Sequence, residues 1–471
     1  MTLIVGANLL GVLPAPVRAA DWPVWGFDPA RSSFNPAETT LTKGNVHELR
    51  TRWQVKLGGV ADSAPIYLHR VRIGRFYHPM LFETLKNGAT LGIEAMTGRV
   101  VWRFRPRGPN YTHSAPVADP SGKIIYAPAL DGRVHKLEAG TGQEIRGQGF
   151  PAKITLIPDT EANESPLNLA NGYVYATISG YNGDGDPYDG HVVAIDLQTG
   201  KRTVFNSLCS DKAGLLGGGG CSQLRSGIWA RGGAVVDPVP SMNGRIYVTT
   251  GNGDFNANHG GHNYGDSVVS LSADLSDLHG SYTPADYQQL QDGDADLGST
   301  SPAMLPEQAA SQTPWMLVQG GKDAILRLVN RAALPGVGNE LQVIDLPGGL
   351  FSTPAIWNTS GRAWIFLGFS NVVQAYRLET KSGQSRLVSI WNASPGQTNG
   401  EGTTPVVANG IVFIAYDGAL FALDALNGNE LWDSARHAKT IGNVHWSSPI
   451  VVNGWVYCSD ESGNLTAFAL P

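Results

Sequence analysis

Apolar residues in this chain fall in short runs rather than long stripes. GRIYVTTG, GIVFIAYDG and GWVYCSDESG alternate or stay apolar for five to seven residues, the pattern of β-strands. Asn-Gly, Asp-Gly and Ser-Gly pairs lie between such runs and supply the positive φ that tight hairpins need. A longer period overlies the short one. A small residue followed by proline, or its equivalent, opens a unit at Pro65, Pro116, Pro166, Ala234, Pro302, Pro354, Pro405 and Pro449. The spacings are 51, 50, 68, 68, 52, 51 and 44 residues.

The second half of the unit repeats as well. It reads LGIEAMTGRVVWRF at 91–104, VHKLEAGTGQEIRG at 134–147, VVAIDLQTGKRTVF at 192–205 and LFALDALNGNELWDS at 420–434. Glycine permits the bend, Thr or Asp bonds local backbone, and Trp packs between neighbouring units. Each unit is then an antiparallel meander of about four strands, too small to bury both its faces, so neighbours must stack. Eight such units predict an all-β chain, an eight-bladed β-propeller spanning 20–471. The last copy stops before its Thr-Gly-x-x-x-Trp strand, and an orphan strand of that type, LRTRWQVKL, stands at 49–57. The N-terminal strand is therefore expected to complete the last blade and remove two open sheet edges.

Composition narrows the function classes. Glycine supplies 58 of 471 residues and charged residues 16%, against about 25% charged in an average domain. Tight hairpins and strands shielded between blades account for both. A net charge of −6 leaves no basic excess for general nucleic-acid binding. After the N-terminus no 18-residue apolar stretch occurs, so no transmembrane segment is expected in the mature chain. Residues 1–19 read as a signal peptide, with an apolar run from Leu3 to Leu13 and cleavage before Ala20. A secreted or periplasmic location follows. Cys209 and Cys221 bracket the loop GLLGGGG and are expected to form a disulfide in such a compartment. Cys458, in WVYCSD, reads as a buried thiol, and the absence of CxxCH excludes covalent haem.

The Asp-x-x-Thr-Gly-x-x-x-Trp repeat resembles that of the PQQ-binding-like, quinoprotein alcohol dehydrogenase-like propellers. The resemblance runs from Trp22 to Leu470 and includes the opening DWPVWGFDPARSSFNPAETTLTKGNVHELRTRWQ. That family holds dehydrogenases and also a non-enzymatic outer-membrane assembly scaffold. The resemblance thus implies either a PQQ- and Ca²⁺-dependent dehydrogenase or a propeller that presents its surface to a protein or polymer. The dehydrogenase would oxidise an alcohol, a polyol or a polymer and pass electrons to an external acceptor.

The resemblance also implies site residues. Asn252, in TTGNGDFN, stands where the enzymes place a calcium ligand. Asp296, nine residues before Leu305, matches the catalytic base, with Asp294 as the alternative. Lys322, in GGKDAILRLVNR, matches a quinone contact. Trp229 offers the aromatic floor, while Arg231 lies nearer the aligned position. Asp184 or Asp186 occupies the run in which the enzymes carry a Glu metal ligand, in a longer loop, and the adjacent cysteines of many family enzymes are missing. The chemistry asks for these residue types: hard oxygens for a divalent cation, a carboxylate for the alcohol proton, and a cation beside the reduced quinone. Each also has a plainer reading. Asn252 suits a positive-φ turn, the D-x-D-x-D run at 292–296 an acidic turn, Lys322 a hairpin tip, and Trp229 inter-blade packing. His259 and His262 in a glycine-rich loop make a poor metal pattern, and GLLGGGG lacks the Lys-Ser/Thr of a phosphate loop.

Overall fold

The computed structural model describes residues 19–181, 185, 187–395 and 401–471. The proposed signal sequence therefore lies almost wholly outside the described residues. Eight antiparallel sheets follow one another along the chain and form an eight-bladed β-propeller. Blade 1 is made of Ile66–Ile73, Phe76–Thr84, Thr90–Glu94 and Val100–Phe104. The expected turn residue precedes the first strand of every blade, immediately in seven and two residues ahead at Pro166 in blade 3. Blade 8 contains Ile450–Val452, Trp455–Ser459 and Asn464–Ala469. The N-terminal strand Arg50–Lys56 completes it, pairing antiparallel with Asn464–Ala469. Local departures from the all-strand expectation are short, the longest being the helix Tyr287–Gly293.

The repeated Trp and the repeated glycine meet across blade boundaries. Trp102 of blade 1 donates its indole N–H to the Ala139 carbonyl of blade 2, at 2.9 Å. Its ring covers Gly142, the glycine of the next Thr-Gly turn, where an added Cβ would stand 2.5 Å from Cδ2. Trp53 does the same on Ala95 and Gly98, and Trp391 on Ala425 and Gly428. These glycines have φ of +74°, +68° and +75° at 98, 142 and 428. Both the backbone conformation and the close ring exclude a side chain there. Each dock buries a large ring and satisfies its one donor.

The opening segment 22–35 closes one end of the ring. The first strand of each blade is a sheet edge whose polar groups need partners. Tyr67 of blade 1 exchanges hydrogen bonds with Trp22, and Ala118, Val236, Ile356 and Val407 donate to carbonyls of Pro23, Pro29, Ser32 and Ser33. Asn35 reaches the Val451 carbonyl at 2.8 Å. Buried Arg31 bonds the carbonyls of Pro166, Leu167 and Gly232. One strand of chain thus laces blades 1–4 and 6–8 together. The open end lies where the first strands begin.

Cys209 and Cys221 are joined in a disulfide, and Cys458 is a buried free thiol. Trp102→Ala is expected to cost about 3–5 kcal/mol, read from chemical denaturation. Gly142→Ala should also destabilise, by more than about 1 kcal/mol, although it deletes nothing.

Candidate functional site

A cleft of about 380 Å³ opens at that end, within the range of small-ligand pockets. Its residues come from the turns that precede first strands and follow second strands. Trp229, Phe351, Glu401 and Trp446 are of the first kind; Lys86, Asn252 and Lys322 are of the second.

Blades 4 and 5 supply one side. The Asn252 backbone N–H donates to Asp296 Oδ1 at 2.5 Å. Lys322 Nζ stands 2.5 Å from Asp296 Oδ2 and 3.3 Å from Asp294 Oδ1. It also lies 5.1 Å from the centre of the Trp229 ring. Gly251 makes this packing possible, because a Cβ there would approach Asp296 Oδ1 at 2.9 Å and Trp229 Nε1 at 3.1 Å. Burial pushes the Asp296 carboxyl above its ordinary pKa, while Lys322 opposes the rise. Burial acts to lower the Lys322 pKa, but Asp296 and Asp294 outweigh it and hold the ammonium above its usual value. Behind them Asp266 is buried and accepts from Leu297 N–H at 3.0 Å, and its Oδ2 has no hydrogen-bond partner. Burial and then the Asp296 charge push its pKa up to about 8.

The structure brings Asp296, Asn252, Lys322 and Trp229 to one cleft, with Asp294 at its edge. Trp229 lines it, together with Phe351 and Trp446. Arg231 is buried beside the cleft, its Nη2 2.7 Å from Glu401 Oε2 and its guanidinium 5.5 Å from the Trp446 ring. Asp184 and Asp186 lie outside the described residues; Tyr181 and Tyr188, which flank them in sequence, both line the cleft. His259 and His262 are exposed and lie outside the cleft lining.

The other side of the cleft, from blades 8, 1, 2 and 3, was not legible as a site. Asp62 Oδ2 lies 3.0 Å from His445 Nδ1 and 3.3 Å from His113 Nε2. Its Oδ1 accepts from Trp446 N–H at 2.6 Å. Burial opposes ionisation of Asp62, but the His445 hydrogen bond and the neighbouring histidines hold its pKa down to about 2. Glu164 bonds His113 Nδ1. The Trp446 indole stacks on His113, with ring centres 5.1 Å apart and planes at 10°. A signal for Asp62, His113 and Trp446 did exist. Asp62, His113, Arg231, Phe351 and Trp446 all stand three residues before a turn proline or its equivalent. That position of the repeat faces the open end of the ring, and there the units stop resembling one another.

A family model described as the glucose/ethanol/alcohol dehydrogenase β-propeller domain matches residues 22–332. A second, the outer membrane protein assembly factor BamB, matches 353–470. The quinohemoprotein alcohol dehydrogenase ADH IIB of Pseudomonas putida is 22% identical over 545 aligned residues, covering 99% of this chain and 71% of its own length. A quinone-type alcohol dehydrogenase subunit of Komagataeibacter europaeus is 22% identical, and this chain spans 41% of it. Among solved structures, the quinohemoprotein alcohol dehydrogenase ADHIIG of Pseudomonas putida superposes with a TM-score of 0.69 at 15% identity, over 96% of this chain and 80% of that one. BamB of Moraxella catarrhalis superposes with a TM-score of 0.53 at 13% identity, over 89% and 99%.

Asp266 carries a pH prediction. Its pKa is raised in the folded state from 3.8 to about 8. Its contribution to stability is therefore full below pH 3.8 and is lost as pH rises through about 8. Asp266→Asn should flatten that part of the stability–pH curve, measured by urea midpoints between pH 4 and about 9.

Proposed function

The chain belongs to the glucose/ethanol/alcohol dehydrogenase β-propeller family, and from that premise we propose that it is a quinoprotein dehydrogenase that oxidises an alcohol or polyol. The observation that carries the reading is the meeting of Asp296, Lys322, Asn252 and Trp229 in one cleft. The residues fit the cofactors the family implies. Trp229 offers a flat face for PQQ. The Asn252 amide and the Asp296 carboxylate are hard oxygen donors for Ca²⁺, and Asp184 and Asp186 lie in sequence between the cleft residues Tyr181 and Tyr188. Burial raises the pKa of Asp266 behind this wall to about 8, and a dication nearby would favour its ionised form.

PQQ, when bound, supplies the two-electron oxidant. Asp296 accepts the proton of the substrate hydroxyl, and its burial makes it a stronger base than an exposed carboxylate. Lys322 keeps Asp296 ionised before that transfer, and its positive charge 5.1 Å from the Trp229 ring would stabilise negative charge on a quinone held there. The Asn252 N–H holds the other oxygen of the base in place. The electrons leave to an external acceptor.

Residues 1–19 are proposed to direct export to the periplasm or beyond, consistent with the disulfide. Among the described residues no helix is long and apolar enough to cross a membrane. A second reading rests on the BamB-type match over 353–470: a propeller without catalysis that binds a protein or polymer.

Purified protein reconstituted with PQQ and Ca²⁺ should reduce an artificial electron acceptor with one member of an alcohol panel. Asp296→Asn should lower kcat by about 10²–10⁴-fold while quinone binding persists. Absence of both a quinone spectrum and turnover would overturn the enzyme reading and leave the binding propeller.

A further inference from the structure

Across the ring from Asp296, the turns that open blades 1, 2 and 8 bring Asp62, His113 and His445 together. One ligand atom from each lies within 4.8 Å of the other two. Asp62 and His113 are more than nine-tenths buried, and both histidines line the cleft. His113 Nε2 is 3.3 Å from Asp62 Oδ2 yet makes no hydrogen bond, and among the described residues no other partner takes its place. A buried imidazole nitrogen left without a bond costs free energy unless something absent satisfies it.

We propose that Asp62, His113 and His445 bind a zinc-class transition-metal dication, at a site separate from the hard-cation site proposed around Asn252. Two imidazole nitrogens and one carboxylate suit Zn²⁺, Co²⁺ or Cu²⁺ and not Ca²⁺. Bonds of about 2.0–2.1 Å in tetrahedral geometry put ligand atoms about 3.3 Å apart. The separations from Asp62 Oδ2, 3.0 and 3.3 Å, already approach that. Glu164 on His113 Nδ1 directs Nε2 toward the site, the carboxylate–histidine–metal arrangement that raises ligand basicity. The Trp446 N–H on Asp62 Oδ1 leaves Oδ2 facing the two histidines. Since both histidines line the cleft, the remaining coordination position faces a small molecule or water there.

Three groups oppose the ion, one of them the buried Arg231 guanidinium, whose charge acts on Asp62 but is paired with Glu401. Lys86 Nζ stands 3.8 Å from Asp62 Oδ2, and the charges of Asp62 and Glu164 offset it. The Trp446 indole donates to His445 Nε2 at 3.1 Å, which places the proton of metal-free His445 on Nδ1. Metal at Nδ1 moves that proton to Nε2 and breaks the indole bond, so binding should alter Trp446 emission.

The test is titration of the chelator-treated full chain with Co²⁺ and Zn²⁺. Expected are one equivalent of Co²⁺ with visible d–d absorption, displacement by Zn²⁺, and a change in tryptophan emission. His113→Ala and His445→Ala should weaken Co²⁺ binding at least 100-fold. Glu164→Gln, chosen because it keeps size and fold, should weaken it about 10–100-fold. Asn252→Ala should leave Co²⁺ binding unchanged, so failure here is distinguishable from failure of the dehydrogenase reading. Absence of stoichiometric binding, or binding indifferent to both histidine variants, would overturn the site.

Discussion

The fold depends on one contact made repeatedly: an indole of one blade lying on a positive-φ glycine of the next. Trp53, Trp102 and Trp391 each make it, and each gives its N–H to a carbonyl of the neighbouring blade. The contact is apolar and directional at once. It holds the distance between sheets and sets their rotation, because ring and donor must both fit. The chain cannot open between such blades without exposing a tryptophan and orphaning a carbonyl. Closure adds the strand Arg50–Lys56 to blade 8, so the same rule runs through the joint between the two ends of the chain.

This constraint explains where chemistry can sit. The segment 22–35 satisfies the first strands at one end of the ring. The other end stays open, and turns from all sides point their variable residues into it. Charge is concentrated there. Asp296, Lys322 and Asp266 form one buried cluster, and Asp62, His113 and Glu164 form another. In each, groups that would be poorly solvated alone are held by their neighbours, the condition that functional sites favour. The aromatic pair between them, Trp229 and Trp446, has ring centres 6.0 Å apart.

The architecture was legible because it is written as a repeat. Turn prolines, hairpin glycines and the Thr-Gly-x-x-x-Trp strand each serve local geometry, so their positions carry over directly into blades. Asn252, Asp296, Lys322 and Trp229 were named from family resemblance, not from spacing, and the cleft brings them together. Arg231 illustrates the limit: it stands nearer the aligned floor position, yet it lies outside the cleft lining, paired with Glu401 and against the Trp446 ring. The cluster of Asp62, His113 and His445 was missed because its members are 51 and 332 residues apart in sequence and meet only when the ring closes. The position three before each turn proline points to Asp62 and His113 but not to His445, which stands four before Pro449.

The central claim is that the Trp229 face of the cleft holds a quinone. Equilibrium binding of PQQ in the presence of Ca²⁺, followed by quenching of tryptophan emission, tests it most directly. The account predicts saturable binding of one PQQ per chain, weakened at least tenfold by Trp229→Ala and by removal of Ca²⁺. Non-saturable binding, or binding unaffected by Trp229→Ala, would contradict it.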